Sequence, residues 1–460
     1  MEHQETIYAL ASAAGRAGVS VVRTSGPLSQ TAITHLTGKR AKPRYAHLRA
    51  LTDPVTREIF DQALILWFPA PHSFTGEDCA EFHVHGGRAV LAALFSALDH
   101  LGLRQAGPGE FSRQAFGNGK LDLTQAEAIA DLVDAETESQ RRQALAQLEG
   151  ALSQRYSQWR DQLIHILALL EADIDFPDED LPSGLNHQAW PLIQALSREI
   201  EQALTEADRG QRIREGYPVA VVGAPNAGKS TLFNRLLGRD AAIVTDIAGT
   251  TRDILEAHLV LGGYSVTLSD TAGLRDSADV VEAEGIRRAR ERAQSAALRL
   301  WVLDPSEGFS REMADTSDLA APGPDGLPLQ PGDFVLVNKQ DRGVALPDSV
   351  SQAYKAYGLK LFPISLKGGD GVEAFIAALT DRVVSDLSLA TFPSATRQRH
   401  QQRLHEAFTC LTDAGRSLLI GSELAAEDIR HASRAVSQVS GQVDVEDVLD
   451  VVFSSFCIGK

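Results

Sequence analysis

Cysteine is nearly absent: the 460-residue chain has only Cys79, Cys410 and Cys457, far apart and without the paired spacing of a zinc site or a disulfide framework. A reducing compartment is expected. Long apolar runs are missing too, since no uninterrupted stretch approaches the roughly 20 residues that span a bilayer. The opening Met1-Glu2-His3-Gln4-Glu5 is acidic and polar where a secretory leader would be basic and then apolar. A cytoplasmic protein with no membrane association is expected. Positive charge is in short supply, with 44 Lys and Arg against 61 Asp and Glu and a net charge of −17. Phosphate affinity comes largely from Lys and Arg, so a sheath of nonspecific nucleic-acid binding is excluded, and any RNA contact must use a local basic patch.

What is present is ordinary globular composition, 43% hydrophobic and 23% charged, in a chain too long for one core. From Thr6 to Lys120, apolar runs at Gly18–Arg23 and Ala63–Phe68, an alternating segment Cys79–His85 and a helical pattern Ala89–Leu101 predict an α+β domain whose charges roughly balance. Thr124–Ile174, nearly free of Gly and Pro, predicts helix throughout with one break near Gly150, and Thr124 with Glu127 reads as its capping box. Phe176–His187, with two prolines and an acidic cluster, marks a connection before the helical Pro191–Glu215.

At Tyr217 the pattern changes. Short strands at Pro218–Val222, Ser265–Ser269, Leu298–Leu303, Phe334–Asn338 and Lys360–Ile364 alternate with helical stretches. The alternation predicts a doubly wound parallel sheet with its ligand at the carboxyl ends of the strands. Ala320–Gly332, rich in Pro and Gly, reads as a surface loop of that domain, and Ser394–Val452 is helical again. The sheet domain is therefore expected to be inserted into a helical domain built from both flanks.

Gly223-Ala224-Pro225-Asn226-Ala227-Gly228-Lys229-Ser230, between a strand and the helix Thr231–Leu237, has the phosphate-loop pattern. Its glycines let backbone N–H groups wrap phosphates, Lys229 supplies a point charge, and the Ser230 hydroxyl suits magnesium. Asp270-Thr271-Ala272-Gly273 follows a strand, where a carboxylate reaches magnesium through water and a Gly amide senses a γ-phosphate. Asn338-Lys339-Gln340-Asp341 follows another strand, and its Asp can accept both N–H groups of guanine, which adenine cannot offer. Ser365-Leu366-Lys367 ends the last strand, placing a backbone amide for the guanine carbonyl. Four elements in this order imply a guanine nucleotide as ligand.

These motifs, with Asn226 in the phosphate loop, Gly249-Thr250-Thr251-Arg252-Asp253, Leu274-Arg275 after Gly273 and the terminal Cys457-Ile458-Gly459-Lys460, make the chain resemble the translation-factor-like GTPases. More closely, it resembles the MnmE (TrmE) family of tRNA-modification GTPases. Ser73-Phe74-Thr75-Gly76-Glu77-Asp78, His85-Gly86-Gly87, Pro108-Gly109-Glu110-Phe111-Ser112 and Lys120-Leu121-Asp122-Leu123 carry the likeness into the N-terminal region, so it covers essentially the whole chain. The resemblance implies an N-terminal folate-binding α+β dimerisation domain (residues 1–121) and an all-α domain (residues 122–216 and 385–460). An inserted α/β P-loop GTPase domain would occupy residues 217–384.

It also implies the site residues. GTP would be held by Asn226, Ala227, Gly228, Lys229, Ser230, Thr231, the segment Thr245, Asp246, Ile247, Ala248, Gly249, Thr250, Thr251, then Asp270, Thr271, Ala272, Gly273, Asn338, Lys339, Asp341, Ser365, Leu366 and Lys367. Ser230 and Thr251 would ligate Mg2+, and Asn226 and Thr250 with the carbonyls of Thr245 and Ile247 would cage K+ at a dimer interface of nucleotide domains. Asn226 also reads as an ordinary turn residue. Leu274 stands where many small GTPases have a water-orienting Gln. The family singles out Glu282 for that catalytic role; alone it reads as one of an acidic surface run with Asp276, Asp279 and Glu284. Arg252 and Arg275 are alternatives to potassium as phosphoryl-stabilising charges, or plain surface residues.

Arg23, Glu81, Lys120 and Lys460 would contact 5-formyl- or methylene-tetrahydrofolate, and Cys457 reads as either a buried small hydrophobe or a nucleophile. The implied function is GTP hydrolysis, activated by potassium-dependent dimerisation, in the addition of a carboxymethylaminomethyl or aminomethyl group to carbon 5 of the tRNA wobble uridine. The implied partners are a second copy of the chain, the flavoprotein MnmG (GidA) in a heterotetramer, and tRNA. A ribosome-assembly GTPase would carry a basic RNA-binding module, and a membrane-associated one an amphipathic anchor; neither is present in the sequence.

Overall fold

The computed structural model describes residues 5–175, 185–238, 256–270, 290–305, 327–388, 395–443, 446–454, 456, 458 and 459. The chain divides into two compact units. One takes Met1–Asp134, Ala144–Gln202 and Gln398–Lys460; the other takes Ala135–Gln143 and Ala203–Arg397.

The first unit begins with strands β1 (Ile7–Leu10), β2 (Ala17–Ser25), β3 (His47–Thr52), β4 (Ile59–Phe68), β5 (Cys79–Gly86) and β6 (Arg104–Gln105). They form one sheet in the order β3-β4-β5-β2-β1-β6, antiparallel except for the β1–β6 pair. Strand alternation sorts its two faces. Ala80, Phe82 and Val84 of β5 enter the core with Ala32, Ile33 and Leu36 of α1 (Ser29–Thr37) and Leu94, Ala97 and Leu98 of α2 (Arg88–His100). Glu81, His83 and His85 alternate with those apolar residues and so belong to the opposite face. The α+β reading holds, with β1, β3, β6 and α1 added to the elements expected from the sequence.

The helices that follow this sheet in the chain correct two expectations. After α3 (Glu110–Gly117), the predicted continuous segment is α4 (Leu123–Asp134), α5 (Glu138–Leu148) and α6 (Ala151–Asp175). Gly150 marks one break, at φ +89. The other comes at Thr137, which forms a reciprocal capping box with Gln140: Thr137 N–H donates to Gln140 Oε1 at 3.0 Å and Gln140 N–H to Thr137 Oγ1 at 3.3 Å. A new N-cap inside a helix-forming stretch divides it. At the start of α4 the box is Asp122 with Gln125, through Asp122 N–H to Gln125 Oε1 at 3.1 Å and Gln125 N–H to Asp122 Oδ1 at 2.9 Å, and not Thr124 with Glu127. Glu127 turns inward.

The remaining helices are α7 (Leu185–Glu215), which carries Pro191 in its first turns, and α8 (Lys229–Leu237), α9 (Asp348–Ala356), α10 (Val372–Leu387), α11 (Gln398–Ser417), α12 (Ser422–Ser440) and α13 (Glu446–Ser454). Helices α6, α11 and α12 pack together, and Glu127 of α4 is fully buried near them. Glu127 accepts from Arg399 Nε and Nη2 at 2.6 and 2.8 Å, and His400 Nε2 lies 2.9 Å from its Oε2.

The second unit holds β7 (Tyr217–Val222), β8 (Glu256–Leu261), β9 (Tyr264–Asp270), β10 (Leu298–Leu303), β11 (Phe334–Val337) and β12 (Lys360–Pro363), in the order β12-β11-β10-β7-β9-β8. All pairs are parallel except β8–β9, an antiparallel edge hairpin that the sequence reading did not include. Both faces are covered. Val219, Val221, Leu300 and Leu336 pack on the side of α8 and α10, while Ala220, Val222, Trp301 and Val335 pack on the side of α9. That is why β7 and β11 read as unbroken apolar runs with no polar alternation, and why Arg299, the charged residue of β10, is buried against Asp333. Among the described residues no helix is long and apolar enough to cross a membrane.

Burial alone would raise the Glu127 carboxyl, but the charges of His400 and Arg399 outweigh it and hold the group far below the carboxylate range. A group depressed in the folded state contributes stability that is full above its unfolded pKa, about 4.3 here, and is lost as pH falls toward the folded value. Glu127→Gln keeps the shape and removes the charge. Its first thermal transition at pH 7 is expected to drop by on the order of 10 °C. The gap from the parent protein should narrow steadily below about pH 4, as read by circular dichroism melts across pH.

Candidate functional site

The loop after β7 owes its path to two glycines. Gly223, at φ +150, passes so close to β10 that a Cβ there would sit 2.3 Å from the Val302 carbonyl oxygen. Gly228, at φ +115, caps α8, and a Cβ there would sit 2.3 Å from Asn338 Nδ2. Between them Asn226 holds φ +62, a left-handed conformation that Asn tolerates better than most residues. No side chain caps α8, so the N–H groups of its first turn are directed into the loop and present a positive, donor-rich rim. Lys229 lies over this rim, its Nζ donating to the carbonyls of Gly223 at 2.6 Å and Ala224 at 3.0 Å. Ser230 and Thr231 follow with exposed side chains at the same helix end.

Asp270 closes β9 directly opposite Val221 of β7, which brings its largely buried carboxylate to the strand ends from which the phosphate loop departs. The parallel sheet thus delivers a basic, amide-lined loop and a carboxylate to one edge. Thr245–Thr251, Thr271–Gly273, Arg252, Leu274, Arg275 and Glu282 lie outside the described residues, as do Cys457 and Lys460.

A second cluster lies beside the loop. Asn338, buried at the end of β11, donates from Nδ2 to the Ala227 carbonyl at 2.7 Å and accepts the Leu366 N–H on Oδ1 at 3.0 Å. One side chain therefore holds the phosphate loop and the loop after β12 at fixed separation. Lys339 is paired with Asp304 at the end of β10. Asp341 accepts the Ser365 hydroxyl at 2.7 Å, and that hydroxyl in turn accepts Gly368 N–H at 2.9 Å. The Ser365 hydrogen bond, with the charges of Arg342 and Lys367, holds the Asp341 carboxyl below the usual range and so keeps it an acceptor. On the far side of the same turn Arg235 of α8 donates from Nε to the Leu366 carbonyl at 2.9 Å and from Nη2 to the Lys367 carbonyl at 3.3 Å.

Of the expected nucleotide residues, those described come together at this edge: Asn226–Thr231, Asp270, Asn338, Lys339, Asp341 and Ser365–Lys367. Arg235 and Asp304 were not singled out from the sequence. Arg235 sits in the last turn of a helix, where a basic residue ordinarily complements the dipole, so no motif flags it. Asp304 had a usable signal, as a carboxylate immediately after a parallel strand.

The N-terminal sheet carries a separate polar face. Arg23 of β2 and Glu81 of β5 are direct cross-strand partners, joined by Nε and Nη2 to Oε1 at 3.1 and 3.0 Å, with His83 Nε2 at 3.3 Å from Oε2. The Arg23 guanidinium lies 5.3 Å from the Phe74 ring centroid. Phe74 belongs to a loop that Lys120 holds through the Pro71 carbonyl at 3.2 Å and Asn118 through the Thr75 carbonyl at 2.8 Å. Of the four expected folate contacts, Arg23 and Glu81 thus sit on this face and Lys120 holds the loop that borders it. The terminal segment approaches the same sheet: Ile458 bridges to Pro108, and a Cβ on Gly459 would fall 2.2 Å from the Leu10 carbonyl oxygen.

Comparison with known proteins agrees along the whole length. Residues 6–120 match the family model for the GTP-binding protein TrmE N-terminus, and residues 123–457 that for the MnmE helical domain. Over 457 residues the chain is 52% identical to a tRNA modification GTPase MnmE of Caulobacter vibrioides, covering 99% of this chain and 100% of the relative. Similar proteins of that description occur in Phenylobacterium zucineum, 51% identical over 461 residues, and Parvibaculum lavamentivorans, 50% over 461 residues. Each pairing covers 99% of this chain and 100% of the relative.

Gly228→Ala tests the geometry of the loop. The added methyl meets Asn338 head-on and the backbone conformation disfavours it. Affinity for a fluorescent guanine nucleotide is expected to fall at least about tenfold while the helical content stays that of the parent. Unchanged affinity would refute the close approach of Gly228 and Asn338.

Proposed function

This chain belongs to the MnmE family of tRNA modification GTPases, and from that premise we propose that its GTP hydrolysis serves addition of a carboxymethylaminomethyl or aminomethyl group to carbon 5 of the tRNA wobble uridine. The observation that carries the nucleotide half of this reading is the Asn338 tie. One buried amide fixes the phosphate loop and the Ser365–Lys367 turn at one separation, and Ser365 of that turn holds the Asp341 carboxylate. Guanine offers N1–H and its 2-amino group to Asp341, and its O6 to the Lys367 N–H of the turn after β12.

Ser230 and Thr251 are assigned to Mg2+, with Asp270 reaching it through water. The residues fit: an exposed hydroxyl stands at the helix terminus and a carboxylate at the adjoining strand end. Asn226 and Thr250 with the carbonyls of Thr245 and Ile247 are assigned to K+. The left-handed backbone at Asn226 supports this, because it sets the side chain on an exposed loop crest, where a second nucleotide domain can reach it. Glu282 is assigned the orientation of the attacking water, in place of a side chain that Leu274 does not supply.

The polar face of the N-terminal sheet is assigned to 5-formyl- or methylene-tetrahydrofolate, through Arg23, Glu81, Lys120 and Lys460. The donor set supports it: a pterin edge presents the same paired N–H groups as guanine, and Glu81 faces it with Arg23 stacked on Phe74. The folate would supply the one-carbon unit. The assembly proposed is a homodimer joined by the flavoprotein MnmG, acting on tRNA in the cytoplasm, with residues 1–121, 122–216 with 385–460, and 217–384 as folate-binding, helical and GTPase domains.

Potassium separates this mechanism from an arginine finger. Hydrolysis is expected to rise severalfold or more in potassium over sodium at equal ionic strength, because sodium is too small for the same oxygen cage. Asn226→Ala should abolish the difference, whereas screening alone predicts equal rates in the two salts. The pathway is tested in a strain deleted for its own relative of this gene. Wobble-uridine nucleosides analysed by mass spectrometry should lack the aminomethyl-type group and regain it when this chain is supplied. Unmodified wobble uridine despite folded, expressed protein would reject the assignment.

A further inference from the structure

We propose that Arg235 is a positioning residue for guanine recognition, acting through the Leu366–Lys367 turn; the inference rests on the reading of Asp341 and that turn as the base site. Its guanidinium donates to two consecutive carbonyls, those of Leu366 at 2.9 Å and Lys367 at 3.3 Å. Each trans peptide unit holds its N–H antiparallel to its C=O. Carbonyls drawn toward Arg235 therefore turn the N–H groups of Lys367 and Gly368 the other way.

A second contact shows where that other edge faces. Gly368 N–H donates to Ser365 Oγ at 2.9 Å, and Ser365 Oγ donates to Asp341 Oδ1 at 2.7 Å. The amide edge of the turn is the edge on the Asp341 side. The turn is thus clamped from opposite sides, by Arg235 on its carbonyls and by the Asn338–Ser365–Asp341 group on its amides. Leu366 and Gly368 N–H are spent within the clamp, so it orders in advance the Lys367 N–H that meets O6, and less ordering is left to the moment of binding.

Arg235 reaches this turn from the helix that begins with Lys229, two turns along the same element. A forked side chain is required, because a single ammonium cannot span two carbonyls in fixed geometry. The guanidinium also lies against Gly369, whose left-handed backbone, φ +97, carries the turn past it.

The test uses the full-length protein and a pair of nucleotides that differ at one atom. 6-Thioguanosine diphosphate keeps N1–H and the 2-amino group but replaces O6 with sulfur, a weak acceptor. The parent protein is expected to prefer GDP by about tenfold, the worth of one good hydrogen bond. In Arg235→Ala that preference should shrink to about two- to threefold, with most of the lost affinity falling on GDP, and Arg235→Lys should lie between. Equal loss for both nucleotides, with the preference intact, would overturn the inference and leave Arg235 a merely structural residue. Absence of any preference in the parent protein would instead overturn the reading of the base site. Thermal melts of both variants identify a misfolded one, and Arg235→Lys, which keeps the charge, then carries the comparison.

Discussion

One buried side-chain amide sets the geometry on which the nucleotide site depends. Asn338 spends its donor on the phosphate loop and its acceptor on the turn after β12, so neither can shift without breaking a hydrogen bond in a place closed to water. The constraint runs outward from there. Gly228 has to lack a side chain because Asn338 stands where its Cβ would be, and the end of β11 has to stop where it does for Asn338 to reach both loops. The parallel sheet beneath supplies the rigidity, with every residue of β10 and β11 buried.

The sequence was most legible where local pattern and tertiary setting coincide. Largely apolar runs ending in Gly, Asp or Asn revealed β7, β10 and β11 to within about two residues, because strands buried on both faces leave little polar alternation to misread, and β9 was legible although Ser and Thr alternate through it. It was less legible where a side chain has two plausible employments. Glu127 stands three residues after Thr124 and satisfies a capping pattern, yet Asp122 caps that helix, and Glu127 is taken up by Arg399 and His400 from the far end of the chain. No local rule identifies a partner 272 residues away. The β8–β9 hairpin was half visible: its second strand was read, but β8 is an edge strand of six residues whose alternation of Ala257 and Leu259 with His258 and Val260 is weak.

At the two sites, motif residues were legible and their supports were not. Asp341, Asn338 and the phosphate loop belong to motifs of set spacing, so they announce themselves. Arg235 and Asp304 act on backbone carbonyls and on a lysine, and such contacts impose no recognisable spacing on sequence. The N-terminal face shows the same division. Arg23 and Glu81 meet because β2 and β5 pair in that register, a fact of sheet topology and not of sequence distance. Phe74 then supplies a ring beneath the guanidinium.

The ion cluster of Glu127, Arg399 and His400 also carries a schedule. A ribosome adds roughly 5–20 residues each second, so Arg399 emerges on the order of tens of seconds after Glu127. Throughout that interval the first compact unit has a carboxylate that must stay in water, and its helices cannot close around it. The sheet unit, whose strands all lie between those two residues, is complete before the cation arrives. The helices around Glu127 therefore close last, and the growing chain passes through a stage in which the strands of the parallel sheet have all emerged while that cluster still lacks its cations.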